Sequence, residues 1–355
     1  MSEPILTGSG LNNKDIVVPA FKEYRNGNPF AWAMGNNENA IIQEKLDTSK
    51  GRGDTIYFSL RDAFDPANAI TGNSQVEGNE QDLTYNEDSV TMDEINHAGK
   101  VERRHIVNVR TPLQVVEALR PTILDMASER LRNDLIDSAA VSATPNRTRV
   151  LFGATDGNFN ATLATALANF DSSADKMSAD IVRLARLKAL NVAKASNGTS
   201  TRKIRPFKVK MANGALVETY VMFLDSMAAN DLQQDTDFKD LRDDARRNEI
   251  SIPFFNGAKY LGMVHGVMCY EIEELDRIDS DAGGAASIRV AHNLLCGAQA
   301  FGVGVSLPGR LAAKEFDYGR HVGMNYQVIR GIKMLKFDSI EQGVVHVYTS
   351  GEFSG

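Results

Sequence analysis

Ten carboxylates and one cation occupy residues 54–99: Asp54, Asp62, Asp65, Glu77, Glu80, Asp82, Glu87, Asp88, Asp93 and Glu94 against Arg61 alone. No lysine lies between Lys50 and Lys100. At the start of the stretch Ile56, Phe58 and Leu60 alternate with Thr55, Tyr57, Ser59 and Arg61, the period-two pattern of a half-buried strand. A second strand pattern covers about residues 89–95, and more than twenty polar, Gly- and Asn-bearing residues separate the two. A connection that long is uncommon inside a compact domain and usually serves function or reaches a partner. Like charge at this density repels itself, so a cationic surface elsewhere would lower its energy. Residues 183–210 carry nine basic residues and no acid. Segregated charge of this kind suits a chain that meets copies of itself; two solvated faces without a partner is the other reading.

The chain has 355 residues, 43% hydrophobic and 24% charged, ample for a core and for two or three lobes of about 150 residues each. A net charge of −7 argues against a dedicated nucleic-acid binder, which needs a basic excess to neutralise phosphates. Two cysteines, Cys269 and Cys296, make no disulfide framework, so a reducing compartment is expected. Met1-Ser2-Glu3-Pro4 lacks the basic patch and apolar run of a signal peptide. The uncharged run 290–309 contains His292, Asn293, Gln299 and several glycines, whose desolvation excludes a membrane span. A soluble chain with no membrane partner is expected.

Residues 1–50 show no sustained period and read as an extended arm with anchors at Phe21, Phe30 and Trp32. The best helix pattern covers 112–141, with Leu124, Ala127, Leu131, Leu135 and Ala139 inward and Glu129, Arg130, Arg132 and Asp134 outward; Pro121 bends it or marks its first turn. Ser178 caps a second helix to about Lys194. Asn213-Gly214 joins strands 203–211 and 215–224 as a hairpin, and Asp225 caps a helical segment reaching Arg246. A strand at 260–272, a helix at 288–301 and strands at 326–337 and 343–349 complete an α+β order without regular βαβ alternation.

Catalytic and metal motifs fail on inspection. Neither a P-loop nor G-x-G-x-x-G occurs. Gly304-Val305-Ser306-Leu307-Pro308 misses the nucleophile elbow because Pro stands where a second Gly is needed. Asp235-Thr236-Asp237 lacks the glycine and terminal Glu of a calcium loop, and Arg52-Gly53-Asp54 leads straight into a strand. His265…Cys269 and His292…Cys296 have zinc ligand types. His265 and Cys269 on a strand would stand roughly 13 Å apart, too far for one ion, whereas His292 and Cys296 on a helix would share a face. No enzyme, no metal and no cofactor are expected.

In order along the chain stand Gly53-Asp54-Thr55-Ile56-Tyr57-Phe58, Glu77-Gly78-Asn79-Glu80, Val90-Thr91-Met92-Asp93-Glu94-Ile95-Asn96-His97-Ala98 and Arg110-Thr111-Pro112. They are followed by Phe255-Asn256-Gly257, Leu294-Leu295-Cys296-Gly297-Ala298-Gln299-Ala300, Glu315-Phe316-Asp317-Tyr318-Gly319 and Gly343-Val344-Val345. From about residue 50 to the C-terminus this order resembles the major capsid proteins of tailed bacteriophages with the Hong Kong 97 fold, in the branch similar to the podophage N-four major coat protein. Gly99-Lys100-Val101 departs from the more basic run of that pattern, and 144–176 and 196–216 look variable.

The resemblance implies an N-terminal arm at 1–50 that is not a removable scaffold, an E-loop at 51–108, a spine helix and the start of a peripheral domain at 109–180, and interleaved peripheral and axial domains at 181–355. The function implied is a structural shell protein in the virion, assembled in the host cytoplasm into hexamers and pentamers around packaged double-stranded DNA held without sequence-specific binding. Portal and scaffolding proteins, and a decoration protein, are the implied partners; an encapsulin-type nanocompartment shell is the alternative. Phe58, Leu60, Glu77 and Glu80 on one side, and Lys100, Arg103, Arg104 and Arg110 on the other, are the expected subunit-interface residues, with 183–210 as a second basic candidate. Without a lysine between Lys50 and Lys100 the loop cannot donate the amine of a lysine–asparagine crosslink, so boiled particles are expected to run as a monomer band.

Overall fold

Two β-sheets share an apolar layer, and a short hairpin rides on one of them. The computed structural model describes residues 27–61, 64, 69–72, 75–102, 115–171, 173–190, 203–210, 216–240, 259–273, 275–279, 288–318, 320–337 and 340–351. In chain order its strands are β1 (Met34–Gly35), β2 (Ile42–Leu46), β3 (Thr55–Arg61), β4 (Tyr85–Thr91), β5 (Asp93–Glu102), β6 (Val150–Phe152), β7 (Phe207–Lys210), β8 (Leu216–Asp225) and β9 (Tyr260–Val264). They continue with β10 (Val267–Ile272), β11 (Asp276–Asp279), β12 (Arg289–Cys296), β13 (Phe301–Phe316), β14 (His321–Met334), β15 (Lys336–Phe337), β16 (Ile340–Glu341) and β17 (Val344–Gly351). The helices are α1 (Val115–Ser138), α2 (Leu163–Ala168), α3 (Ala179–Ala189) and α4 (Ser226–Gln234). The class is α+β, as the order of sequence patterns predicts.

One sheet runs β6-β17-β12-β8-β10-β9, with β7 on β8 and β11 on β12. Along β8 every residue from Thr219 to Asp225 is buried, because both faces are covered. Tyr220, Met222 and Leu224 point to a layer closed by Ile181, Val182 and Ala185 of α3 and by Ala228, Ala229 and Leu232 of α4. Val221 and Phe223 point the other way, to Phe30, Ile41, Ile42, Leu135, Phe301 and Val303, which belong to the second sheet and its helix. That second sheet runs β1-β2-β13-β14-β5. Helix α1 lies across it: an added carbon at Gly99 of β5 would sit 2.8 Å from Leu119 and 3.5 Å from Ile123, and Arg330 of β14 pairs with Asp134 at 2.8 Å.

Several expectations hold at residue level. Ser178 accepts from the Ile181 amide and Asp225 from the Met227 amide, capping α3 and α4. β7 and β8 pair as foreseen, Lys208 opposite Glu218; Asn213-Gly214 lies outside the described residues.

Others are corrected. Residues 289–296 form strand β12 rather than a helix, because β8 and β17 flank it and seven of its eight residues are buried, so the apolar run carries no period to read. The strand expected at 260–272 breaks into β9 and β10 at His265-Gly266, both with positive φ (49° and 76°). α4 stops at Gln234 because Asp235 turns extended and its Oδ2 accepts from the Ala179 amide at 2.8 Å; residues 236–240 are helical again, and 241–246 lie outside the described residues. On α1, Ile123 is buried where Leu124 was expected, Arg132 turns inward, and Pro121 stands inside the helix rather than at its first turn. Residues 27–50 are more than an anchored arm, since β2 pairs in parallel with β13 and Ile41 and Ile42 are fully buried; Phe21 lies outside the described residues.

Cys269 and Cys296 fall in apolar layers on opposite faces of the larger sheet. Burial pushes both thiols up, Cys269 to about 12. Neither should react with an aromatic disulfide reagent in the native state, and both should titrate after denaturation, since the thiolate is the reactive form; a rapid native reaction would contradict the packing.

Candidate intersubunit surface

The acidic stretch is built as a hairpin that leaves the smaller sheet. β3 and β4 pair antiparallel from Thr55↔Thr91 to Arg61↔Tyr85, and their inner face carries Ile56, Phe58, Val90 and Met92 against Leu335 and Phe337. Three glycines make room for it. A carbon added at Gly302 would lie 3.0 Å from the Phe58 ring, at Gly304 3.1 Å from Ile56, and at Gly331 2.2 Å from the Thr91 carbonyl oxygen. Gly304 and Gly331 are direct cross-strand neighbours on β13 and β14, so the hairpin sits in a trough without side chains.

Beyond Arg61 and Tyr85 no comparable cover exists among the described residues. Phe64, Ile70, Val76, Leu83 and Tyr85 are exposed, together with Glu77, Glu80 and Asp82. Monomeric proteins do not usually string this many bare apolar groups along one loop. Near the root the acids are answered: Asp88 pairs with Lys333 and accepts from the Lys336 amide, and Arg52 Nε meets Asp93 at 3.0 Å. Glu94 accepts from Asn96 at 2.8 Å and Gln327 at 2.7 Å, which hold its carboxyl below the ordinary range. Toward the tip, Glu77, Glu80 and Asp82 meet no cation among the described residues; Glu80 accepts only the Gly78 amide, at 2.8 Å.

The expected interface residues are therefore divided by the fold. Phe58 is 2% exposed and spends its surface inside its own chain, which corrects its assignment to a neighbour. Leu60 is half-buried beside the same cluster, while Glu77, Glu80 and Lys100 are exposed. Arg103, Arg104 and Arg110 lie outside the described residues. Four of the nine basic residues of 183–210 are paired within the chain: Arg183 by Asp180 at 3.0 Å, Lys188 by Asp156 at 2.9 Å, Arg205 by Glu38 at 3.3 Å and Lys208 by Glu218 at 3.1 Å, while Lys194 and Arg202 lie outside the described residues. Lys314 stands in one row with Lys100 across β14, on a strand that the sequence pattern does not foresee.

Groups with a chemical reading are structural here. Ser306 of the near-elbow lies within β13, away from any strand-to-helix turn, and its hydroxyl donates to the Lys50 carbonyl. His292 and Cys296 share strand β12 rather than a helix, and the partner of His292 Nε2 is His346 Nδ1 at 3.0 Å. Among the described residues no three His, Cys, Asp or Glu side chains converge to hold a metal, and no helix is long and apolar enough to cross a membrane.

A family model described as phage capsid protein matches residues 6–352. The major capsid protein of Pseudomonas phage KPP25 is 24% identical over 374 residues, covering 96% of each chain. Among solved structures, the capsid asymmetric unit of cyanophage Pam1 superimposes with a TM-score of 0.77 at 24% identity, and the capsid of Ralstonia phage GP4 with 0.77 at 21%, each over the whole of both chains.

Proposed function

Because this chain belongs to the phage capsid protein family, a family of structural proteins rather than enzymes, we propose that it is the major wall subunit of the icosahedral head of a tailed phage. Copies of the chain associate as hexamers and pentamers around double-stranded DNA. The observation that carries the reading is the hairpin loop whose exposed apolar and acidic residues find no cover among the described residues. A shell subunit needs such arms, because walls are built from heterologous contacts repeated around closed symmetry rather than from a pocket. In this reading residues 1–50 form the arm, built into the smaller sheet through β2, 51–108 the E-loop, 109–180 the spine helix and the start of the peripheral domain, and 181–355 the peripheral and axial domains. The matched relatives are phage capsid proteins, which gives the encapsulin alternative no support.

Assembly in the host cytoplasm, a portal at one vertex, a scaffolding protein and a decoration protein belong to the same proposal. The negative wall suits confined DNA, which a strongly basic lining would snag. Overexpression followed by negative-stain microscopy tests the reading: closed shells of uniform diameter are expected. A chain that stays monomeric at all concentrations, with or without the other head proteins of its phage, would refute it.

A further inference from the structure

Helix α1 leaves a groove on its side of the smaller sheet. Ala127 and Leu131 of α1, Met34 of β1, Glu44 of β2 and Arg330 of β14 surround an open volume of about 570 Å³. Leu124 also lines it and is 42% exposed, although the helix pattern would bury it. Leu46 stands two residues beyond Glu44 on the same face of β2 and is 61% exposed. Beside these side chains the backbone edge is open as well. β1 pairs with β2 at Met34↔Ile42 and Gly35↔Gln43, whereas β13 pairs with it as far as Leu46. Among the described residues no strand meets the outer edge of Glu44–Leu46. Two bare leucines beside an unpaired strand edge make one apolar seat with room for an extended chain.

We infer that residues Ile16–Phe21 of the same chain fill this groove as an extended strand added to the outer edge of β2. The first described residue, Gly27, already lies against α1, where an added carbon would be 3.7 Å from the Ser128 hydroxyl. That hydroxyl accepts from the Asn28 amide at 2.9 Å, and Asn28 itself borders the groove. Phe30 then anchors the entry, 4% exposed with its ring 5.1 Å from that of Phe223. Residues 1–26 therefore begin at the rim of the groove, and Ile16-Val17-Val18-Pro19-Ala20-Phe21 is their longest apolar run.

Reach, shape and charge fit this occupant. The chain from Phe21 to Gly27 spans up to about 20 Å, and Leu124 is one helical turn, about 6 Å, from Ser128, so the tether reaches with slack. β-Branched Ile16, Val17 and Val18 suit a strand. Pro19 cannot donate to a ladder, which confines it to an outermost strand, and a strand added beside β2 is outermost. Lys14 and Lys22 bracket the run, while Glu44 in the groove meets no cation among the described residues. A tether this short holds the run at an effective concentration on the order of millimolar, which favours the chain's own segment over that of a second copy. The inference stands apart from the shell reading and gives the first part of the N-terminal arm a seat on its own subunit.

Photocrosslinking tests the seat. A benzophenone amino acid at position 46, or in a second variant at position 124, is activated in full-length chains mixed from heavy- and light-isotope preparations before assembly. Links to the peptide of residues 15–22 are expected, with no pairing of unlike isotopes. In parallel, trypsin is expected to cut after Lys22 and Arg25 on the order of tenfold faster in the double variant Ile16→Asp, Val18→Asp than in the parent, because cleavage follows the population of the open form. Ile5→Asp, outside the run, is the control and should leave the rate unchanged, and the circular dichroism of all variants should match the parent. Links between unlike isotopes would give the groove to a second copy and overturn the inference. Links that map elsewhere, or equal cleavage of the parent and the double variant, would overturn it too.

Discussion

Gly331→Val is expected to unseat the β3–β4 hairpin and abolish particle formation. A Cβ at this position would lie 2.2 Å from the Thr91 carbonyl oxygen and 2.8 Å from a Val90 methyl, and valine adds two further carbons. β14 cannot yield, because it is hydrogen-bonded to β13 on one side and β5 on the other through this region. The hairpin must lift, exposing Ile56, Phe58, Val90 and Met92, each of which contributes about 1.5–3 kcal/mol by burial. Overpacking alone costs about 1–3 kcal/mol, so the low-energy response is local detachment rather than global unfolding. The variant should keep its far-ultraviolet dichroism, become cleavable between residues 55 and 91 under native conditions, and form no shells. Gly51→Ala, where an added carbon meets only an ordinary 3.8 Å contact, is the control. A Gly331→Val chain with parental protease resistance and normal particles would show that the trough does not seat the hairpin.

Acid should destabilise the subunit through His346, and replacing both buried histidines should remove the effect. His346 is fully buried on β17, its Nδ1 3.0 Å from His292 Nε2, so in the neutral pair one ring donates and the other accepts. His292 in turn stacks on Tyr348 at 4.5 Å, and Tyr348 on Phe152 at 5.2 Å. Nε2 of His346 is buried with no hydrogen-bond partner among the described residues. Burial first, then the charges of His292 and Lys336, hold the His346 pKa well below its ordinary value. Facing elements add Arg149, which precedes β6 and whose carbonyl accepts from the His346 amide, and Glu341 of β16, whose charge favours the Arg149 cation.

The unfolded chain takes up a proton at this histidine near pH 6.5 while the folded chain does not, so stability is complete above that pH and falls as the pH drops below it. The slope is about 1.4 kcal/mol per pH unit for one proton, continuing until the folded pKa is reached. Denaturant midpoints measured from about pH 7 down to about pH 5.5 should show the decline. The double variant His292→Leu, His346→Leu should lose the part of the slope that carboxylates do not supply, and an unchanged slope would assign the acid sensitivity to other groups.

What could be read without coordinates was what short-range physics fixes. Alternation at Thr55–Arg61 specifies a strand with Ile56 and Phe58 on one face, and β3 has that face buried. Ser178 and Asp225 announced helix starts because a cap needs only its own next turn. Ordered motifs carried the family resemblance, and the match over residues 6–352 agrees with it. The tertiary structure alone decided what burial on both sides erases. Residues 290–296 are buried on both faces, His292 and Asn293 included, so only flanking β8 and β17 make them a strand. Arg132 and Leu124 exchanged the faces expected of them once α1 was laid over β5 and β14. Phe58, which pattern alone offers equally to a neighbour or to its own core, is claimed by the trough of Gly302, Gly304 and Gly331, residues far away in sequence whose missing side chains give no periodic signal. The row that places Lys100 beside Lys314 exists only because β5 pairs in one register with a β13–β14 hairpin that lies about 200 residues further along the chain, a long-range choice that no local pattern encodes.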